Sequence, residues 1–226
     1  MLIDLHTHTR IHSLDASLSP DELVEGAKAA HLDGICITEH DWFWDLGEIA
    51  ALGKRHNFLV LPGCEINTEQ GHTLVFGLQR YVYGMHRPAA LRQHVEQASG
   101  VMLAAHPYRR QFVEEEGPWV PPYERQVEQA AQGEHVACAH AVETINGRGK
   151  PRQNKFSHDV CRRAGLPAIG ASDSHDLNDI GICATRFQRR IGTLADLIEE
   201  LRAGRYKPVR LRGEEAAQHR FDGRTT

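Results

Sequence analysis

Short apolar runs alternate with amphipathic stretches along nearly the whole chain. Met1–Leu5, Gly34–Thr38, Phe58–Leu61, Thr73–Leu78, Val101–Ala105, Val142–Ile145 and Ala168–Gly170 are brief, mostly continuous hydrophobic segments, the pattern of buried strands. Between them lie segments with apolar positions at helical spacing. The first starts at Ser19-Pro20-Asp21-Glu22, where Ser19 can cap, Pro20 suits the first helical position and Glu22 can close a capping box, and it continues through Leu23, Ala27 and Ala30. Further helices are expected over Asp45–His56, Pro88–Ser99, Val120–Gly133 and Pro151–Ala164, and over Thr193–Gly204 with Thr193 as cap and Gly204 as stop. About seven strand–helix units fit, which predicts an α/β fold with a parallel sheet. A single domain is expected over 1–210, followed by a polar tail over 211–226.

The chemistry-bearing residues fall at or just beyond the ends of these strands. Five phrases stand out: Asp4-Leu5-His6-Thr7-His8-Thr9, Thr38-Glu39-His40-Asp41, Gly63-Cys64-Glu65-Ile66, Ala105-His106-Pro107 and Ser172-Asp173-Ser174-His175. Parallel α/β folds gather strand ends on one face, and that is where they put their sites. His6 and His8, two apart on extended backbone, present both rings to one side at roughly 6–7 Å between Cα atoms. On a helix, residues two apart would diverge. One such phrase carries little weight. Five separate strand ends, each bearing His, Asp or Glu, point together to a multi-metal site.

Composition narrows the setting. The 226 residues carry a net charge of −4, so the whole-chain field is not that of a nucleic-acid binder, although Arg148, Lys150 and Arg152 could form a local basic patch. Five cysteines, Cys36, Cys64, Cys138, Cys161 and Cys183, are scattered with no Cys-x-x-Cys pair, as expected for reduced thiols. No secretory leader is read ahead of the first strand and no apolar run reaches membrane-spanning length, so a cytoplasmic protein with no membrane partner is expected. Histidine is the outlier, with 15 residues. Most of those outside the five phrases read as surface or helix-end residues, His135 among them. Trp42 and Trp44 follow His40 and either wall the pocket or pack.

Taken in order, the histidine pair, the Thr-Glu-His, the Glu, the His-Pro and the Ser-Asp-x-His resemble the PHP (polymerase and histidinol phosphatase) superfamily. The resemblance runs from Asp4 to about Tyr206, and Gly181–Arg202 is similar to the C-terminal stretch of small PHP phosphoesterases. One departure is Glu39, where the family usually has Asp. It precedes His40, so the resemblance assigns it a place behind the ligands. The implied fold is a distorted (β/α)7 barrel of the PHP type. The implied cofactors are two to three divalent metal ions (Zn, Mn or Fe), the first held by His6, His8, Glu65 and Asp173, the second by Glu65, His72 and His106, and the third by Asp15, His40 and His175. Imidazole and carboxylate without thiolate suit all three metals.

The resemblance further implies a hydrolase in which His6, His8, Glu65 and Asp173 hold the catalytic ions. These would make hydroxide available near neutrality, while the third ion would bind phosphate oxygens. Arg109, Arg148 and Arg186 are candidates for phosphate binding, and Arg110 is read as surface. The expected partner is a small phosphorylated substrate such as a nucleotide or histidinol phosphate, and extended nucleic acid is disfavoured. The alternatives are an exonuclease-type phosphodiesterase on short nucleic acids, a C–N hydrolase, or a non-catalytic metal-stabilised module. No oligomeric state is legible in the pattern.

Overall fold

The computed structural model describes residues 1–115 and 117–212. Of the polar tail expected over 211–226, all beyond Arg212 lies outside the described residues. Among the described residues, ten strands and eight helices follow one another in an α/β arrangement.

Strands β1 (Leu2–Thr7), β2 (Gly34–Ile37) and β3 (Leu59–Pro62) run parallel. On the far side of β1 lie β9 (Cys183–Phe187) and β10 (Tyr206–Arg210), both antiparallel to their neighbours, giving the order β10-β9-β1-β2-β3. A second five-stranded sheet has the order β4-β5-β6-β7-β8, from Cys64–Asn67, His72–Phe76, Val101–Ala104, Ala141–Asn146 and Ala168–Ala171. Here β4, β5 and β6 pair antiparallel, while β6, β7 and β8 pair parallel.

The expected barrel is therefore not one continuous parallel sheet. It is two mixed sheets that share a core and touch through two isolated bridges, Thr7 with Ser174 and His40 with Glu65. The break between β3 and β4 falls at Gly63. A Cβ there would meet the Phe76 ring at 2.6 Å and the Thr38 methyl at 2.8 Å, so only glycine lets the chain turn this tightly against β5.

The central core draws on both sheets. Ile3, Leu5, Leu61, Leu74, Phe76, Leu103 and Ile169 are buried together. The helices cover the outer faces. Helices α1 (Pro20–Ala29) and α2 (Leu46–His56) pack Leu23, Ile49 and Leu52 on the first sheet. Helix α3 (Pro88–Gln97) packs on β4–β6 through Leu91 and Val95. Helices α5 (Tyr123–Gln132) and α7 (Pro151–Ala164) cover β6 and β7, with Phe156 fully buried. Emptying such a position to alanine costs about 3–5 kcal/mol.

Local signals hold where they were strongest. Ser19 and Glu22 form the expected capping box, with Glu22 N–H on Ser19 Oγ at 3.2 Å and Ser19 N–H on Glu22 Oε2 at 2.8 Å. Thr193 caps α8 (Leu194–Ala203), which stops at left-handed Gly204. The short α4 (Tyr108–Gln111) and α6 (Glu134–Ala137), and strands β4, β9 and β10, were not anticipated. All five cysteines are free. Among the described residues no helix is long and apolar enough to cross a membrane.

Candidate metal centre

The ends of β1, β2, β6 and β8, with β4 and β5, converge where the two sheets meet. His6 lies next to the end of β1 and His8 just beyond it, with ring centroids 5.0 Å apart, so the extended His-x-His does present both rings to one side. Glu65 on β4 lies at the centre and divides its oxygens. Oε1 lies 2.8 Å from His72 Nδ1 and 2.9 Å from His106 Nε2. Oε2 lies 2.9 Å from His40 Nδ1, 3.3 Å from His6 Nε2 and 3.4 Å from His8 Nε2. On the other side, Asp15 faces His175 Nε2 at 3.1 Å and His40 Nε2 at 3.5 Å. The structure thus brings together every residue expected to ligate an ion, Asp15 and His72 included.

One group within the cluster tests whether a cation fits. His6 Nε2, His8 Nε2, Glu65 Oε2 and Asp173 Oδ1 are all buried and lack hydrogen-bond partners. Both imidazole nitrogens lie 3.5 Å from Asp173 Oδ1. Buried polar atoms left unpaired are costly. Four of them, two lone-pair nitrogens and two carboxylate oxygens at 3.3–3.5 Å, match the edges of a tetrahedron around an ion with bonds of roughly 2.0–2.2 Å. The donor set fits a divalent cation. The sets His6/His106/Asp173, His40/Glu65/His72 and His8/His40/His175 also cluster at ligand distances.

The electrostatics follow from this crowding. Burial pushes the carboxyls of Glu65 and Asp173 upward, but His6 and the other imidazoles outweigh it and hold both well below the usual carboxylate range. Burial lowers His6, yet Glu65, Asp173 and Glu143 raise it well above an ordinary imidazole. His8 goes the other way, pushed down to about 4 by burial. The difference lies in what stands behind each ring. His6 Nδ1 donates to the Glu143 carboxylate at 3.1 Å. His8 Nδ1 donates to Ser13 Oγ at 3.2 Å, and that hydroxyl in turn donates to Glu39 Oε2 at 2.5 Å. Either way Nδ1 is committed outward and Nε2 is left as the inward donor.

Glu39 also accepts from Thr9 and, at 3.3 Å, from Trp44 Nε1. It is a hub of the loops behind His8, consistent with its expected place. Trp42 stacks on His12 with centroids 4.2 Å apart. His135, expected on the surface, is fully buried on α6 behind His72. Glu143 and Asn146 on β7 also touch the ligands and were not anticipated.

The arginines divide. Arg109 is exposed and ion-paired with the buried Asp173. Arg148 lies exposed on the turn after β7, its N–H held by Asn146 Oδ1 at 3.0 Å. Arg110 donates to the Thr68 carbonyl and to Asn67 Oδ1. Arg186 is not brought to the site. β9 runs antiparallel to β1 and sets Arg186 opposite Leu2, whereas His6 lies at the other end of that strand.

The PHP domain profile matches residues 4–130, and a PHP-associated profile matches residues 151–206. Among curated relatives, a PolC-type DNA polymerase III of Oceanobacillus iheyensis is 38% identical over 65 residues, and an error-prone DNA polymerase of Nocardia farcinica is 33% identical over 64. These alignments cover 29% and 28% of this chain but only 5% and 6% of those polymerases. Among solved structures, PsfC from Pseudomonas syringae superposes with a TM-score of 0.61 at 16% identity over 97% of this chain and 95% of that one. An amidohydrolase from Chromobacterium violaceum, solved with sulfate and no metal, gives 0.55 at 18% identity over 94% and 99%. A protein from Bifidobacterium adolescentis, described as a candidate metal-dependent phosphoesterase, gives 0.55 at 16% over 77% and 87%. At these identities the structural likeness is one of fold. The PHP domain match alone takes in more than half of the 226 residues, and the chain belongs to the PHP-domain family.

Proposed function

We propose that this protein is a metal-dependent phosphoesterase acting on small phosphomonoesters, nucleotide or histidinol-phosphate-like. The observation that carries the reading is the convergence of four unpartnered buried donors from His6, His8, Glu65 and Asp173 at spacings that suit one divalent cation. Glu65, with His72 and His106 on its other oxygen, would bridge to a second ion. Asp15, His40 and His175 would hold a third. The donors suit Zn, Mn or Fe. When bound, the ions would supply an activated water and Lewis-acid stabilisation of phosphate oxygens.

The chain's own residues do the rest. Glu143 and Ser13 keep the Nδ1 protons of His6 and His8 turned away from the ligand atoms. The buried walls exclude bulk water from the centre. Asp15 and His40, the more exposed ligands, form its open side, where a phosphate would enter. Arg109 stands beside Asp173 and offers a guanidinium to a phosphate oxygen. A barrel-like closure of the two sheets and a cytoplasmic setting belong to the same reading.

The short polymerase matches favour a second reading, an exonuclease-type phosphodiesterase on short nucleic acids. Element analysis paired with phosphate release from an aryl phosphate, before and after chelation, tests the first. Near three metals per chain and chelator-sensitive turnover support the phosphomonoesterase. Metal without phosphate release, but with release of nucleotides from a short oligonucleotide, favours the second. No metal after reconstitution overturns both.

A further inference from the structure

Strand β7 supplies none of the expected ligands, yet it lies between β6, which leads to His106, and β8, which leads to Asp173. Two of its side chains are buried against the centre. Glu143 Oε1 accepts the His6 Nδ1 proton at 3.1 Å. Glu143 Oε2 accepts the His106 backbone N–H at 2.8 Å and one amide proton of Asn146 at 3.0 Å. The other amide proton of Asn146 goes to Asp173 Oδ2 at 3.2 Å. Asn146 Oδ1 accepts from Tyr108 Oη at 3.2 Å and from the Arg148 N–H at 3.0 Å. Both amide protons of Asn146, and both lone pairs of its Oδ1, are thereby committed.

Side chains three apart on a regular strand point to opposite faces. Here β7 slips register against β8 between Glu143 and Ile145, and the two side chains meet. The slip puts both on the ligand side. Two of the ligands they hold sit on strained backbone. His106 has φ 25° and Asp173 has φ 55°, conformations that non-glycine residues keep only when their surroundings over-determine them. Glu143 grips the first by its N–H, and Asn146 grips the second by its carboxylate.

We propose that Glu143 and Asn146 are a single positioning pair that fixes His6, His106 and Asp173 for metal binding. The proposal rests on the metal-site reading above. It is tested with the full chain, stripped of metal, by titrating Zn²⁺ against a chromophoric chelator in the wild type, Glu143→Gln, Asn146→Ser and the double variant. Glu143→Gln turns an amide toward the His106 N–H, and Asn146→Ser frees Asp173. Each single variant is expected to bind Zn²⁺ roughly 10–100-fold more weakly. The double variant should be no more than about threefold worse than the weaker single, because the two act as one unit.

Circular dichroism and melting of the metal-free proteins check folding. Variants that melt earlier but keep wild-type Zn²⁺ affinity would overturn the proposal, since that is the mark of a merely structural role. So would full additivity in the double variant. If one single variant fails to fold, the other carries the test; if neither folds without metal, the pair belongs to folding and the proposal fails. A wild type that takes up no Zn²⁺ overturns the metal-site reading itself, and the wild-type titration alone reveals it.

Discussion

His135 Nε2 donates to the backbone carbonyl of His72 at 2.7 Å, from a ring with no exposure to solvent. Its Nδ1 accepts from Gln111 Nε2 at 3.1 Å, and burial keeps the ring neutral by pushing its pKa down to about 4. Gly71 makes room for it, since a Cβ there would lie 2.6 Å from the His135 ring. His135→Ala leaves a cavity next to a ligand and removes one of two hydrogen bonds to the His72 carbonyl, which keeps the Ala105 N–H at 3.0 Å. The expected loss is about 2–4 kcal/mol in urea unfolding of the chelated protein. Gly71→Ala should also destabilise by forcing that ring aside. Wild-type midpoints in both variants would contradict this packing.

Glu65 and Asp15 should differ in how many ions depend on them. Glu65 contacts five imidazoles through its two oxygens. Among the described residues Asp15 ion-pairs with two, His40 and His175, from a side chain 59% exposed. Glu65→Gln is expected to lose about two ions per chain and to lower kcat/KM on the order of 10²-fold or more. Asp15→Asn should lose about one. Elemental analysis of the dialysed variants distinguishes them, and equal losses would show that Glu65 does not bridge.

The arginines give a graded expectation. Arg109→Ala removes the guanidinium beside Asp173 and should raise KM for an aryl phosphate about tenfold, a charge-assisted hydrogen bond's worth. Arg148→Ala should raise KM far more than it alters metal content. Arg186→Ala, paired with the start of β1, should leave KM at the wild-type value. A KM effect at Arg186 matching that at Arg109 would contradict this placement.

Away from the centre, His56 ties α2 to α1. Its Nε2 lies 2.6 Å from Asp21 Oδ1 and its Nδ1 2.7 Å from Glu25 Oε1. The hydrogen bonds to Asp21 and Glu25 raise its pKa. A raised histidine stabilises the fold fully below the ordinary imidazole value, and the contribution fades as pH climbs through the raised one. The same contacts hold Asp21 and Glu25 low, so their part fades only in acid. The melting-temperature gap between wild type and His56→Gln should be small, present at pH below the ordinary imidazole value, shrinking as pH climbs through the raised one, and reduced by salt. A gap that widens with pH would contradict the assignment.

His6, His8, His40, Glu65, His106, Asp173 and His175 were legible because each follows an apolar run, whereas Asp15 in a loop and His72 at a strand start were named only through the family's order of phrases. The structure gives the reason for pairing Glu65 with His72. Seven residues apart, they flank a tight turn, and the β4–β5 register sets Asn67 opposite His72, so Glu65 and His72 share a face by parity. Glu143 and Asn146 were hidden because parity fails there, and no residue type announces a register slip. His135 was hidden because a histidine in a polar stretch carries no mark of what will cover it. Arg186 was misjudged for a different reason. The strand around it was not anticipated, and its antiparallel direction is set by pairing with β1, far away in sequence. Antiparallel β4–β6 likewise broke the expected run of parallel units, since apolar runs do not encode direction.

The two bridges between the sheets fall at Thr7 with Ser174 and at His40 with Glu65, each beside or upon a ligand. One sheet and its loops bring His6, His8 and His40; the other brings Glu65, His72, His106, Asp173 and His175. Any ion held between them is therefore also a rivet across the joint. Catalytic loading and mechanical integrity are then one variable: stripping the ions should let the halves breathe, with faster amide exchange along this joint before any global unfolding. A lineage that relaxed its grip on the ions to tune turnover would loosen the molecule at the same stroke, which leaves little freedom to alter one without the other.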